Sequence, residues 1–144
     1  MITAVNTVVV WVLDQDSAKA FFTEKLGLQV RTDVPSGDDP RWLTVGPENQ
    51  PELQLSLMVP GAPLQDARSA EQLKALLAKG ALFGCTFTVE DCHAAVKELS
   101  ARGVAVLQEP QHKPWGISAI FRDDSGTCHE LLQPQHGMPA DSIS

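Results

Sequence analysis

One strand–helix–strand–strand–strand pattern is written twice into this chain, and that repeat restricts the fold more than any other feature. Val12-Leu13-Asp14 returns as Val89-Glu90-Asp91, Ala18 returns as Ala95, and Leu26-Gly27-Leu28 falls close to Arg102-Gly103-Val104. In the first copy, residues 5–12 are β-branched enough for a strand. Asp14-Gln15-Asp16-Ser17 supplies N-cap chemistry for a helix carrying Ala18, Phe21, Phe22 and Leu26, and Gly27 stops it. Strands are expected at 28–32, 41–45 and 52–57, with breaker-rich loops at 35–40 and 46–51. The second copy predicts a strand at 84–89, a helix with Ala95, Val96 and Leu99 inward, a strand at 104–107 and a loop at 108–115. A hairpin over 116–132 closes it, turned by Asp123-Asp124-Ser125-Gly126.

Each half alone leaves one sheet face bare. The expected fold is therefore α+β, two tandem βαβββ modules forming a curved mixed sheet with helices outside and a cleft inside. The modules are 1–60 and 81–135, with a linker at 61–80 that holds a short helix over 69–79, and a fraying tail at 136–144, all one domain.

Parity assigns side chains to the cleft. Leu53, Leu55 and Leu57 take the helix side, which leaves Gln54 and Ser56 facing in. Val8, Val10 and Val12 face the helix, so Thr7, Val9 and Trp11 face the cleft. By repeat equivalence Gly84, Thr86 and Thr88 face in, and Cys85, Phe87 and Val89 face out. In the last strand Cys128, Glu130 and Leu132 face in, and Glu130 reads as the counterpart of Gln54. The parity of 117–121 is not fixed by the sequence. A carboxylate on an inward face needs water, a cation, a metal or a donor, so Glu130 marks the floor of a candidate site.

Composition narrows the partners. A net charge of −7 on 144 residues argues against a nucleic-acid backbone and suits a neutral or cationic small molecule, or simply a solvated acidic surface. No apolar run approaches a membrane span and no basic-then-apolar leader opens the sequence, so a soluble, cytoplasmic protein is expected. Cys85, Cys92 and Cys128 form no CxxC pair and read as inert reduced thiols.

These residues carry a resemblance. Val12-x-Asp14 with Ala18-x-x-Phe21-Phe22-x-x-x-Leu26-Gly27 is similar to the vicinal oxygen chelate superfamily. So are Val89-x-Asp91, Leu99-x-x-Arg102-Gly103-Val104, Pro114-Trp115-Gly116 and Arg122-Asp123-x-x-Gly126-x-x-x-Glu130-Leu131. That group includes glyoxalase I, extradiol dioxygenases and bleomycin-resistance proteins, and the match runs to Pro134. The resemblance implies a homodimer. It also implies metal slots at Thr7, Gln54, Gly84 and Glu130, of which only Glu130 keeps the family ligand. One carboxylate and one amide are too few for a divalent ion, so no metal or other cofactor is expected. The histidines do not repair the set: His129 has the wrong parity, His93 lies outside at a helix start, His112 is on a loop and His136 is in the tail.

The expected function is metal-independent binding of a small organic molecule, aromatic or cationic, in the manner of bleomycin-resistance-type sequestering proteins. Trp11, Gln54, Ser56, Thr86, Trp115 and Glu130 are the ligand-binding candidates, with Glu130 also the candidate catalytic acid or base. Trp42 suits a pocket wall or the core equally. Arg41 and Arg122 offer clamps for an anion, or structural partners for Glu130. The alternatives are a glyoxalase-type lyase, isomerase or dioxygenase with an atypical metal site, and a non-catalytic assembly protein.

Overall fold

The computed structural model describes residues 1–135; the tail expected at 136–144 lies outside the described residues. The fold is α+β. Its first module runs β1 (Thr7–Trp11), α1 (Gln15–Ala20), β2 (Gln29–Ser36), β3 (Asp39–Gly46) and β4 (Gln54–Met58). After α2 (Ala67–Ala78), the second runs β5 (Phe83–Thr88), α3 (Cys92–Ala101), β6 (Ala105–Lys113), β7 (Gly116–Arg122) and β8 (Cys128–Pro134). The single sheet expected is realised as two four-stranded mixed sheets, ordered β1-β4-β3-β2 and β5-β8-β7-β6. In each, the outer pair β1–β4 or β5–β8 is parallel and the other pairs are antiparallel.

The chain divides into two compact units. Unit 1 comprises Met1–Ala81 with the turn Asp124–Thr127, and unit 2 comprises Leu82–Asp123 and the chain from Cys128 on. In unit 1, Asp14 caps α1 by accepting the Ser17 N–H at 2.8 Å. The helix widens into a π-helical turn over Phe21–Lys25, where Leu26 N–H reaches back to Phe21 O. Gly27, at φ +75°, ends it. Ala18 and Phe22 then pack with Val10, Val12, Leu43, Val45, Leu55 and Leu57, all buried, as the alternation of β4 requires. Val8, which shares a face of β1 with Val10, is exposed.

Unit 2 repeats the scheme. Asp91 caps α3 through Ala94 N–H, and Val96 and Leu99 are buried beside Ala119, Phe121 and Leu131.

Two expected loops are strands. Residues 35–40 belong to the β2–β3 hairpin, with Ser36 paired to Asp39. Residues 108–113 continue β6, where a register shift between Gln108 and Gln111 absorbs Pro110. β2 and β6 are both edge strands, and a proline without an N–H is tolerated there. His112 therefore lies in β6, and the loop between β6 and β7 is only the turn at Pro114 and Trp115.

Candidate functional site

In unit 2, the pleat of β8 sends His129 and Leu131 into the core with α3 and turns Glu130 to the other face. There Glu130 Oε1 accepts from Thr86 Oγ1 at 2.9 Å, and Oε2 accepts from Ser118 Oγ at 2.5 Å. Thr86 is the direct parallel neighbour of Glu130, while Ser118 pairs with Leu132 and reaches the carboxylate diagonally. Three adjacent strands therefore supply one acid and two hydroxyl donors. Both hydroxyl protons are committed, and the carboxylate, an acceptor only, keeps lone pairs for a further donor. Glu130 is half-buried, Ser118 buried and Thr86 exposed.

The two arginines considered as partners of Glu130 sit elsewhere. Arg41 grips Asp33 through Nε at 2.7 Å and NH2 at 2.9 Å, and meets Asp16 through NH1. The buried Nε of Arg122 has no hydrogen-bond partner among the described residues. Trp115 occupies the β6–β7 turn, 44% exposed, with its carbonyl held by Gln135 N–H.

In unit 1, Trp11 lies beside Met58, half-buried, and Trp42 beside Val34, exposed. Gln54 Oε1 accepts from Thr44 Oγ1 at 2.7 Å. Ser56, between Val9 and Thr44, is fully buried and its Oγ has no hydrogen-bond partner among the described residues. The registers correct one equivalence. Counted back from the caps Asp14 and Asp91, Val9 corresponds to Thr86; Val9 pairs with Ser56 and Thr86 with Glu130. The counterpart of Glu130 is Ser56, and that of Gln54 is Cys128. The leucine that follows both Gln54 and Glu130 conceals this in the sequence.

The slots that the family resemblance assigns to a metal do not fit one. Unit 1 offers the Thr7 hydroxyl, donating to Asn6 at 2.6 Å, and the Gln54 amide. Unit 2 offers Glu130, and Gly84 has no side chain. Among the described residues no group of three or more His, Cys, Asp or Glu is gathered to hold an ion.

Sequence reasoning missed two features. Ser118 was one, because β7 is apolar on both sides of it. The other is Asp123, treated as turn chemistry, which is buried with its Oδ2 2.8 Å from His129 Nε2. His129 Nδ1 accepts the Cys85 N–H at 3.0 Å, so the imidazole has no free nitrogen and cannot serve as a base. Phe87 and Phe121 flank its ring at 5.6 and 5.3 Å. Burial, then the charge of Asp123, pushes the Cys85 thiol up to about 11, and burial raises Cys92. Neither is a ready nucleophile.

The Glyoxalase/Bleomycin resistance protein/Dioxygenase superfamily model matches residues 4–131. The chain is 43% identical to UcmS2, whose crystal structure superposes with a TM-score of 0.85 over 92% of this chain and 98% of that one. TnmS3, an antibiotic binding protein from Streptomyces sp. CB03234, is 31% identical with a TM-score of 0.74, over 93% and 98%. The uncharacterized protein YetH of Bacillus subtilis (strain 168) is 34% identical over 92% of this chain and all of its own length. No helix among the described residues is long and apolar enough to cross a membrane. By the extent of these matches, the chain belongs to the glyoxalase/bleomycin resistance protein/dioxygenase superfamily.

Proposed function

We propose that this protein binds a small organic molecule, flat and aromatic or cationic, without a metal ion, and that it does so as a cytoplasmic homodimer. The observation that carries the reading is Glu130, a lone carboxylate oriented by Thr86 and Ser118 on the face of its sheet turned away from α3. Such a group accepts a hydrogen bond from a ligand N–H, O–H or ammonium. It lacks the companion acids and imidazoles that metal chemistry requires. Trp42 and Trp115 are exposed and Trp11 is half-buried, and indole rings of this kind can stack on a flat or cationic ligand. Within unit 1, Gln54 is half-buried and offers an amide, while Ser56 is wholly buried and is not open to a ligand. TnmS3 supports the reading by its description as an antibiotic binding protein.

The test is tryptophan fluorescence titration against planar aromatic and cationic compounds, with and without EDTA. Saturable quenching that EDTA does not alter, and that Glu130→Gln weakens by about tenfold or more, is expected. A near-stoichiometric transition metal that copurifies and is lost on Glu130→Ala would overturn the proposal. Sedimentation velocity tests the dimer, and a monomer at micromolar concentration would remove that part.

A further inference from the structure

We infer that His93 and His112 form a binding site for one divalent transition-metal ion, Zn2+ or Cu2+ in chemistry, on the α3 side of the second sheet. The two imidazoles come from different elements, the first turn of α3 and the end of β6, yet their ring centroids lie 6.4 Å apart with planes tilted by 47°. Both side chains are exposed.

The sheet register explains the approach. His112 pairs with Ile117 and Ile117 with Gln133, so the three side chains share one face. Gln133 Oε1 accepts the Cys92 N–H at 3.0 Å, which pins the start of α3 over that row and sets His93 beside His112. A cavity of about 250 Å³ opens beside His112, lined also by Lys113, Ile117 and Gln133, and leaves room for water to complete the coordination.

Metal–imidazole bonds of about 2.0–2.1 Å at a tetrahedral angle bring two ring centroids to about 5 Å. Closing the gap takes about 1 Å of movement, within the reach of χ rotation for exposed side chains. Neutral imidazole is a preferred ligand of these ions. The site suits a cation better than an anion. An anion at the α3 terminus would find Cys92 N–H already given to Gln133 and Ala94 N–H to Asp91. The net charge of −7 also favours a cation, although Lys113 in the cavity lining opposes it.

This site is separate from the proposed ligand face. Gln133 follows the parity of His129 and Leu131, opposite to Glu130. The experiment uses untagged full-length protein. Zn2+ is titrated calorimetrically, and Cu2+ is followed by paramagnetic broadening of the histidine ring protons. One equivalent is expected, with His93 and His112 broadened first. His93→Ala and His112→Ala should each weaken binding by at least about tenfold, since a second tethered ligand acts at high effective concentration. The double variant should be little worse than either single. Glu130→Gln and His136→Ala should leave the affinity unchanged. Binding that neither histidine variant weakens, or that only His136→Ala or Glu130→Gln weakens, overturns the inference.

Discussion

His129 and Asp123 form a solvent-free pair, with Nε2 2.8 Å from Oδ2 and both side chains wholly inaccessible. The Cys85 N–H points at Nδ1, so that nitrogen carries the lone pair and Nε2 carries the proton. The pair is thus a neutral imidazole donating to a buried carboxylate, a structural tie between the end of β7 and β8. His129→Ala removes one partner of that carboxylate and is expected to destabilise by about 3 kcal/mol. Asp123→Asn, which still offers an acceptor, should lose about 1–2 kcal/mol. Urea denaturation reads both as shifts in midpoint at constant slope. A loss under 1 kcal/mol in His129→Ala would show that the tie contributes little.

Gly126 predicts a second sensitive point. Its φ is +113°, and a Cβ added there would lie 2.0 Å from Leu77 O, at the end of α2. Gly126→Ala should therefore cost about 3 kcal/mol from left-handed strain plus displacement of the helix end. In the same turn, Ser125 Oγ accepts the Leu13 N–H at 2.9 Å. Ser125→Ala should cost only about 1 kcal/mol. Thermal melts of the two variants should differ clearly, and equal losses would mean that close backbone approach is not what selects glycine.

These two cases show where the sequence was readable. Asp14, Asp91, Gly27 and Gly103 act within one turn of their own position, and their roles as caps and stops follow from local chemistry. The alternation of Leu53, Leu55 and Leu57 likewise carries its own parity. Asp123 was misread because a turn aspartate looks the same whether it bonds its own backbone or a histidine six residues on. Ser118 lies among Ile117, Ala119 and Ile120, with no alternation to orient it. Its place follows only from the pairing of β7 with β8. Gln54 looked like the counterpart of Glu130 because each is followed by leucine, Leu55 or Leu131, and only the strand registers set Ser56 in that place. The approach of His93 to His112 required β6 to continue past Pro110, which is possible only on an edge strand.

Asp33 makes acid stability testable. The Arg41 guanidinium, then the Lys19 ammonium at 2.7 Å, hold its carboxyl well below the usual carboxylate range. In the unfolded chain an aspartate titrates near about 3.9. The stabilising contribution is therefore full above that value and is lost as pH falls towards the folded one. Asp33→Asn should be less stable than wild type at pH 6, and the gap should narrow as pH drops from about 4 to 2. Urea midpoints across that range give the answer, and a gap independent of pH would exclude the ionic origin.

The hydroxyls on Glu130 should act through the carboxylate rather than on a ligand of their own. Ser118 is 2% exposed, so its bond to Oε2 is shielded from water, whereas Thr86 bonds Oε1 from an exposed position. A hydrogen bond to a charged group is worth about 1.5–3 kcal/mol when shielded and less when solvent competes. Ser118→Ala should thus weaken binding of a cationic aromatic probe about tenfold, and Thr86→Val should weaken it less. If both work by aiming Glu130, their effects should largely vanish in a Glu130→Gln background. The double-mutant cycle would then show a coupling above about 0.5 kcal/mol. Fluorescence titration of the single and double variants measures it. Strictly additive losses would mean that Ser118 and Thr86 contact the probe directly, and the carboxylate would lose its central place in the site.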